Sequence, residues 1–250
     1  MKKNIVFLLL LGAFLGAQAF VLWHENDLWV SKKYDETLVI HIQPVFQGKK
    51  VGLEEPLRTR GGDALSLNTL RFYLSNFVFL KSGAVVFEEK NSYHLLDLED
   101  ESSLALKFEG LANLDFDHLQ FNLGIDSLTT ISGAMGGDLD PTKGMFWTWQ
   151  SGYINFKIEG TFEKCPTRNH EFQFHLGGYL APFQSVQMVQ LSVPKALSSF
   201  QKWTNLEIQL DLTPFFENVD WAKKYNIMSP CKEAVVLSKT LANSFSIHAK

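Results

Sequence analysis

Apolar and polar residues alternate along most of the chain with the two-residue period of β-strands. In the first predicted strand, Thr37–Val45, apolar residues fill one face, and the opposite face carries His41 and Gln43. The second predicted strand, Thr69–Lys81, is apolar on both faces. A strand of this kind is typical of a position between two packed layers.

The alternation continues along the chain and gives way to a helical period near the C-terminus. Many strands separated by turn signals, with few helices, are typical of sandwiches and barrels. The sequence therefore predicts an all-β fold, an antiparallel sandwich or distorted barrel with short C-terminal helices. The further strands are predicted at Ala84–Glu88, Tyr93–Leu98, Asp117–Gly124, Phe146–Gly160, Glu171–Gly177, Ser185–Val193 and Asn205–Leu212, and the helices within Pro214–Tyr225 and Glu233–Phe245.

One segment between predicted strands, Ser127–Gly144, is rich in glycine, threonine and aspartate. Long loops in compact domains frequently carry function. Asp126, Asp138 and Asp140 lie in or beside this loop, where carboxylate oxygens could hold a hard cation such as calcium. Their spacing does not match an EF-hand loop, so we prefer to interpret them as turn-forming and capping aspartates.

The N-terminal residues have the three parts of a secretory signal. A basic start precedes the apolar stretch Ile5–Gly16, and residues 17–19, Ala-Gln-Ala, have the small-x-small form of a cleavage site. Export predicts a mature protein in the periplasm, at the cell surface or outside the cell; a retained membrane anchor is the alternative. The predicted division of the chain is a signal peptide at residues 1–19, a lead segment at residues 20–35 and one β domain at residues 36–250.

The composition narrows the classes of function. A net charge of −4 over 250 residues, with no basic run, does not favour a nucleic-acid partner. The sequence contains no GxSxG elbow, no phosphate-binding loop, no HExxH and no dinucleotide fingerprint. We therefore predict that the protein is not an enzyme.

The chain has two cysteines, Cys165 and Cys231, and both lie in the part predicted to be exported. An even pair in an oxidising compartment most often forms a disulfide, so we predict this bond. A metal site built from cysteines is less expected, because neither residue has a CxxC or CxxxH neighbour.

Two histidines have similar surroundings. His41 and His175 each lie between apolar residues of a predicted strand, and each has a glutamine two residues away, Gln43 and Gln173. Two imidazoles on facing or adjacent strands can bind copper or zinc, which makes both residues candidate metal ligands. Two unrelated, half-buried histidines are the alternative interpretation.

Two tryptophans stand out in the segment Gly144–Tyr153. Trp147 and Trp149 are two residues apart, and on an extended strand they point to the same face. Such a face is either a large piece of core or a place where indole chemistry is used.

Several segments together resemble the MbnP-like family, over roughly residues 36 to 248. The run that includes Trp147 and Trp149, Gly-Met-Phe-Trp-Thr-Trp-Gln-Ser-Gly-Tyr, is the most specific of them. The others are individually modest but follow in the expected order along the chain. The segments that carry the resemblance are Leu70–Asn76, Gly124–Ser127, Leu139–Pro141, Gly144–Tyr153, Phe172–Gly177 and Met228–Pro230.

The resemblance implies an exported, mainly β copper-binding protein of the kind associated with methanobactin operons and with surface proteins of methane oxidisers. In this family, histidines and a tryptophan oxidised to kynurenine bind the copper, and a dihaem peroxidase-like (MbnH/MauG-like) partner performs the oxidation. On this basis His41 and His175 are the expected ligands, and Trp147 and Trp149 are the candidates for oxidation.

A second function is compatible with the same resemblance. Related copper sites place the modified tryptophan shortly after the first histidine, whereas the stretch after His41 carries Phe46 and no tryptophan. The alternative to a copper protein is therefore a non-catalytic binding or scaffold module of the same fold that has lost the metal site.

Overall fold

The structure is a computed structural model that describes residues 37–148, 152–194 and 204–248. The predicted signal peptide, the predicted lead segment and Trp149 lie outside the described residues. Within them, strands predominate and form two sheets, here called sheet A and sheet B.

Sheet A contains both the first and the last described strand of the chain. Its order is β15-β13-β1-β2, and β7 also pairs with β1. The β1 and β13 strands are parallel, with Ile40 opposite Leu206, while the other pairs are antiparallel. The strands of sheet A are β1 (Leu38–Phe46), β2 (Lys49–Lys50), β7 (Ala105–Phe108), β13 (Asn205–Asp211) and β15 (Phe245–His248).

Sheet B is built around one long strand, β4, which pairs with four shorter strands as well as with β10. The main order is β12-β8-β4-β10-β11-β14, and the β11–β14 pair is parallel. Its strands are β3 (Leu57–Arg58), β4 (Ala64–Lys81), β5 (Ala84–Glu88), β6 (Tyr93–Asp97), β8 (His118–Leu123), β9 (Phe146–Trp147), β10 (Gly152–Phe162), β11 (Glu171–Gly177), β12 (Gln187–Ser192) and β14 (Asn226–Ile227).

The inner faces of the two sheets share one hydrophobic core. On β1, Ile40 and Ile42 are almost fully buried, and they belong to the same apolar cluster as Phe174 and Leu176 of β11. Removing these faces from water is the main force that holds the sheets together. The predicted all-β class is thus confirmed, with the addition that each sheet contains one parallel pair.

A second apolar cluster lies on the outer side of sheet B. Ile125–Trp147, here called the covering segment, packs on this side and creates an additional buried layer. The predicted long loop is therefore a structured cover, with a short helix α1 (Ser127–Ile131) and 3-10 turns at Gly137–Leu139 and Pro141–Lys143. The buried members of this second cluster are Tyr73, Leu95, Ile125, Leu139, Met145, Trp147, Tyr153 and Ile154.

The helical period near the C-terminus corresponds to helices α2 (Thr213–Asn218) and α3 (Lys232–Ala242). Earlier in the chain, a 3-10 turn at Glu101–Leu104 connects β6 to β7. The first helix is shorter than predicted, because Val219 already has extended backbone. Within the described part of the chain, no helix has both the length and the apolar character needed to cross a membrane.

Candidate metal centre

His175 lies on the outer face of sheet B, on strand β11. Its neighbours Phe174 and Leu176 face the shared core, so the alternation of the strand turns the imidazole to the opposite side. Only 6% of the residue is exposed.

A carboxylate on the neighbouring strand holds this ring. The Nε2 atom of His175 lies 2.5 Å from Oε1 of Glu159 on β10. The Lys157 ammonium, on the same strand face, is 3.8 Å from the same oxygen. The hydrogen bond from His175 is the main cause that holds the pKa of Glu159 below its ordinary value, against the opposing effect of burial and with help from Lys157. Since an ionised carboxylate can only accept, Nε2 carries the hydrogen of this bond.

The second ring nitrogen of His175 is in a different situation. Nδ1 is buried and has no hydrogen-bond partner among the described residues. In a neutral imidazole with hydrogen on Nε2, this atom carries the lone pair. A histidine whose other nitrogen donates to a carboxylate is the usual arrangement of a metal ligand. The ring of His175 is thus oriented as a ligand with Nδ1 available.

Trp147 of β9 packs against strand β11 at Gly177, two residues after His175. A Cβ at Gly177 would lie 2.6 Å from the six-membered ring of Trp147 and 2.8 Å from the backbone oxygen of Tyr153. Glycine at this position therefore allows the indole to lie directly against β11. Trp147 is only 6% exposed and belongs to the second apolar cluster. Of the two interpretations of this tryptophan, the packing supports a piece of core; Trp149 lies outside the described residues.

His41 lies on the outer face of sheet A, because its neighbours Ile40 and Ile42 face the core. It is half-buried, and its Nε2 atom is 3.2 Å from Oδ1 of Asn205. The second apolar cluster contains no residue of sheet A among its buried members.

The structure does not bring His41 and His175 to one site. They belong to different sheets, and each points away from the core that the two sheets share. Among the described residues, no group of three or more histidine, cysteine, aspartate or glutamate side chains is already placed to hold a metal ion. That either histidine binds a metal stays a prediction, and a single ion shared by both does not fit this arrangement.

The predicted disulfide between Cys165 and Cys231 is absent, and both thiols are free. The Cys165 thiol donates a hydrogen bond to the Glu171 carbonyl at 2.8 Å. The Cys231 sulfur accepts from the backbone N–H of Ala234 at 3.4 Å and caps helix α3. The two sulfurs thus serve separate local contacts.

The three aspartates of the covering segment have structural partners. Asp126 caps α1 through the Thr129 N–H, and Asp140 caps a 3-10 turn. Asp138 accepts from the Leu95 N–H at 3.1 Å and from the Lys143 ammonium at 2.6 Å. The preferred interpretation, turn-forming and capping aspartates, agrees with these contacts.

Glu159 is the residue that the sequence interpretation missed. It lies 16 positions before His175, and the two meet only through the pairing of β10 with β11. A signal was present: Lys157 and Glu159 are charges on one face of a largely buried strand. Charges in such a strand indicate a partner on the neighbouring strand.

Comparisons with known proteins are consistent with this fold. The MbnP family model matches residues 35–229. A solved structure, MbnP from Methylosinus trichosporium, is similar with a TM-score of 0.52 and 18% sequence identity, over 80% of this chain and 86% of that chain. At this identity the similarity concerns the fold. No curated protein matches the chain. Since the family model covers most of the chain, the protein belongs to the MbnP family.

Proposed function

We propose that this chain is an exported copper-binding protein of the MbnP family, without enzymatic activity, and that His175 is one of its copper ligands. The observation that carries this proposal is the ring of His175, held by Glu159 through Nε2 and with Nδ1 buried and unpartnered among the described residues. A buried nitrogen without a partner costs about 1–3 kcal/mol, which a bound ion would offset.

The donor chemistry is suited to copper. Imidazole nitrogen is a borderline ligand that copper accepts readily. Glu159 would act through the ring, by fixing its orientation and its hydrogen on Nε2, which presents Nδ1 to the ion. Family membership supports copper over the other metals that imidazole binds.

A tryptophan of the Gly144–Tyr153 segment is the proposed source of a further ligand. Trp147 lies on the same side of sheet B as His175, against Gly177. An indole offers no ligand nitrogen comparable to an amine, whereas kynurenine does. Oxidative opening of the pyrrole ring of Trp147 or Trp149 by peroxide, followed by hydrolysis that releases one carbon as formate, would supply that amine. A dihaem peroxidase-like protein, which reduces the peroxide to water, is the proposed partner for this step.

Export is part of the same proposal. The proposed signal peptide at residues 1–19 would direct the protein to the periplasm, the cell surface or the medium. These are compartments in which the protein would meet copper and an exported partner.

Copper reconstitution of the purified chain tests the proposal. We expect His175→Ala to lose one equivalent of bound copper, because the oriented Nδ1 is gone, whereas His118→Ala keeps it. His118 is a suitable control, since it also lies on a strand of sheet B and pairs with a carboxylate, that of Asp117 at 2.7 Å. Metal analysis and intact mass are the measurements.

Equal copper content in the His175→Ala variant and the wild type would contradict the proposal. A wild-type chain that binds no copper and has an unmodified mass would favour the second candidate, a binding or scaffold module. The observation that favours this alternative is a group of exposed apolar side chains on two segments joined by a Ser127–Tyr179 hydrogen bond. These side chains are Leu128, Ile131, Leu180 and Phe183.

A further inference from the structure

Three polar residues form a row across the outer face of sheet A. In the strand register, His41 of β1 is opposite Glu207 of β13, and Glu207 is opposite His248 of β15. Two imidazoles therefore flank one carboxylate on three neighbouring strands. The register creates this row from residues that are far apart in sequence.

All three side chains point to the same side of the sheet. Each is next in sequence to a residue of the shared core or of its margin. Ile42 follows His41, Ile208 follows Glu207, and Ile247 precedes His248. Alternation then turns the row outward. On the other side of β1, the residue opposite His41 is Ala105, which is too small to cover the ring.

The spacing of the row suits one ion. Neighbouring strands lie about 4.8 Å apart, so the two histidine backbones are separated by about 10 Å with the glutamate midway. An imidazole reaches outward and binds a metal at about 2.0–2.1 Å from its nitrogen. An ion above Glu207 is then within reach of both rings and of the carboxylate.

The two rings of the row contact neutral groups. His41 contacts the Asn205 amide oxygen at 3.2 Å, and His248 contacts the Ser246 hydroxyl at 2.9 Å. Glu207 accepts a hydrogen bond from the Gln209 amide at 3.0 Å. Binding requires the rings to exchange these neutral partners for the ion, since in the described structure the three side chains do not yet converge. Both outer-face rings have access to solvent, so this exchange does not disturb the core.

We propose that His41, Glu207 and His248 form a second metal site, which binds one divalent transition ion such as Zn²⁺ or Cu²⁺. Two imidazoles and one carboxylate are a donor set that proteins use for zinc, with a fourth position left to water. The absence of a thiolate from the row favours a divalent ion over Cu⁺. The site is independent of the copper proposed at His175, and His248 lies beyond residue 229, where the family match ends.

Zinc titration of the full chain tests this site. The parent protein carries His175→Ala, so that the ring on sheet B does not contribute, and calorimetry measures Zn²⁺ binding. We expect one ion per chain, with an affinity that falls by more than about tenfold in His248→Ala and in Glu207→Gln. His118→Ala in the same parent is the matched control and should leave the affinity unchanged.

Zinc-induced shifts of the histidine ring resonances provide a second measurement, in the parent and in the wild-type chain. Shifts at His41 and His248 support the site. No zinc binding by either chain, or equal affinity after both row substitutions, overturns it. Because copper at His175 is measured on a chain with sheet A intact, failure of this site and failure of the proposed function are distinguishable.

Discussion

The outer faces of the two sheets carry the same kind of residue in different environments. His175 on sheet B is 6% exposed and hydrogen-bonded to a carboxylate, whereas His41 on sheet A is half-buried and contacts a neutral amide. Their sequence surroundings, Phe-His-Leu and Ile-His-Ile, are nearly equivalent. On sheet B the covering segment reaches β11 through Trp147, which lies against Gly177 two residues after His175, and no buried member of the second cluster belongs to sheet A.

This comparison teaches that burial of a strand histidine is a non-local property. The buried ring of His175 is fixed by a carboxylate on the neighbouring strand, and its second nitrogen has no partner among the described residues. An open face leaves rings that can turn and exchange partners. The first environment favours a preset ligand, and the second favours a site that forms as the ion binds. Each of the following experiments tests one part of this contrast.

The largest expected effect is loss of the cover. Tyr153 is almost fully buried, packs edge-on against Tyr73 and Phe146, and donates a hydrogen bond to the Leu139 carbonyl at 3.0 Å. Tyr153→Ala should lower the free energy of unfolding by about 3–5 kcal/mol, because an aromatic ring is removed from the second cluster. Denaturant unfolding measures this change.

The outer face of sheet A, here called the open face, provides the control for that experiment. Lys107 is exposed on β7 of sheet A, and Lys107→Ala should change the free energy of unfolding by less than about 0.5 kcal/mol. If Tyr153→Ala were as mild as Lys107→Ala, the covering segment would not contribute a cooperative layer, and the contrast between the two faces would fail.

A smaller effect is expected where the indole meets β11. Gly177→Ala places a Cβ 2.6 Å from the Trp147 ring and should destabilise the protein by about 1–3 kcal/mol through overpacking. Gly136→Ala is the matched control in the covering segment, since its Cβ meets nothing within 4 Å and its φ is −94°. Thermal and denaturant unfolding compare the two variants; equal stability would contradict the close Trp147–Gly177 contact.

The smallest effect concerns the pH dependence of the Glu159–His175 pair. The folded-state pKa of Glu159 is below its ordinary value of 4.5, chiefly because His175 donates to it. Ionised Glu159 therefore stabilises the folded chain above about pH 4.5, and this contribution is lost as the pH falls through the lowered pKa. Glu159→Gln should cost about 1 kcal/mol at neutral pH and progressively less in acid.

Unfolding measured from pH 7 to pH 3 in chelator-containing buffer checks this expectation. Glu109→Gln, at an exposed position directly after β7 of sheet A, should differ from the wild type by less than about 0.5 kcal/mol throughout the range. A Glu159→Gln penalty that does not shrink in acid would mean that the carboxylate charge is not what holds the His175 ring.

Much of the fold follows from local patterns. Strands β5 and β11 have the predicted bounds, because alternation and flanking turn residues are both explicit there. Strand β7 was not predicted, because four residues are too few to show a clear alternation of apolar and polar positions. The single strand predicted at Phe146–Gly160 is interrupted, because Trp147 pairs back onto Gly152. A hairpin of this kind depends on tertiary packing around the indole.

The candidate site was predictable only in part. His175 was found from its position between apolar residues, but its partner Glu159 depends on the β10–β11 register. One ion between His41 and His175 was expected because the two residues have similar flanking sequences. Similar flanking sequences do not make two residues neighbours in space. Alternation along a strand predicts which residues share a face. Which sheet the strand joins, and what packs on that face, depends on pairing between segments that are far apart in sequence.

The parallel pairing of β1 with β13 also has a consequence for the order of assembly. His41 and Asn205, which touch across this pair, are 164 positions apart in the chain. At a synthesis rate of about 5–20 residues per second, the first strand waits about 10–30 s for this neighbour. Sheet A therefore cannot be complete before β13 and β15 have been made, so a truncated product that lacks these strands would expose the inner face of β1 and become a substrate for proteases.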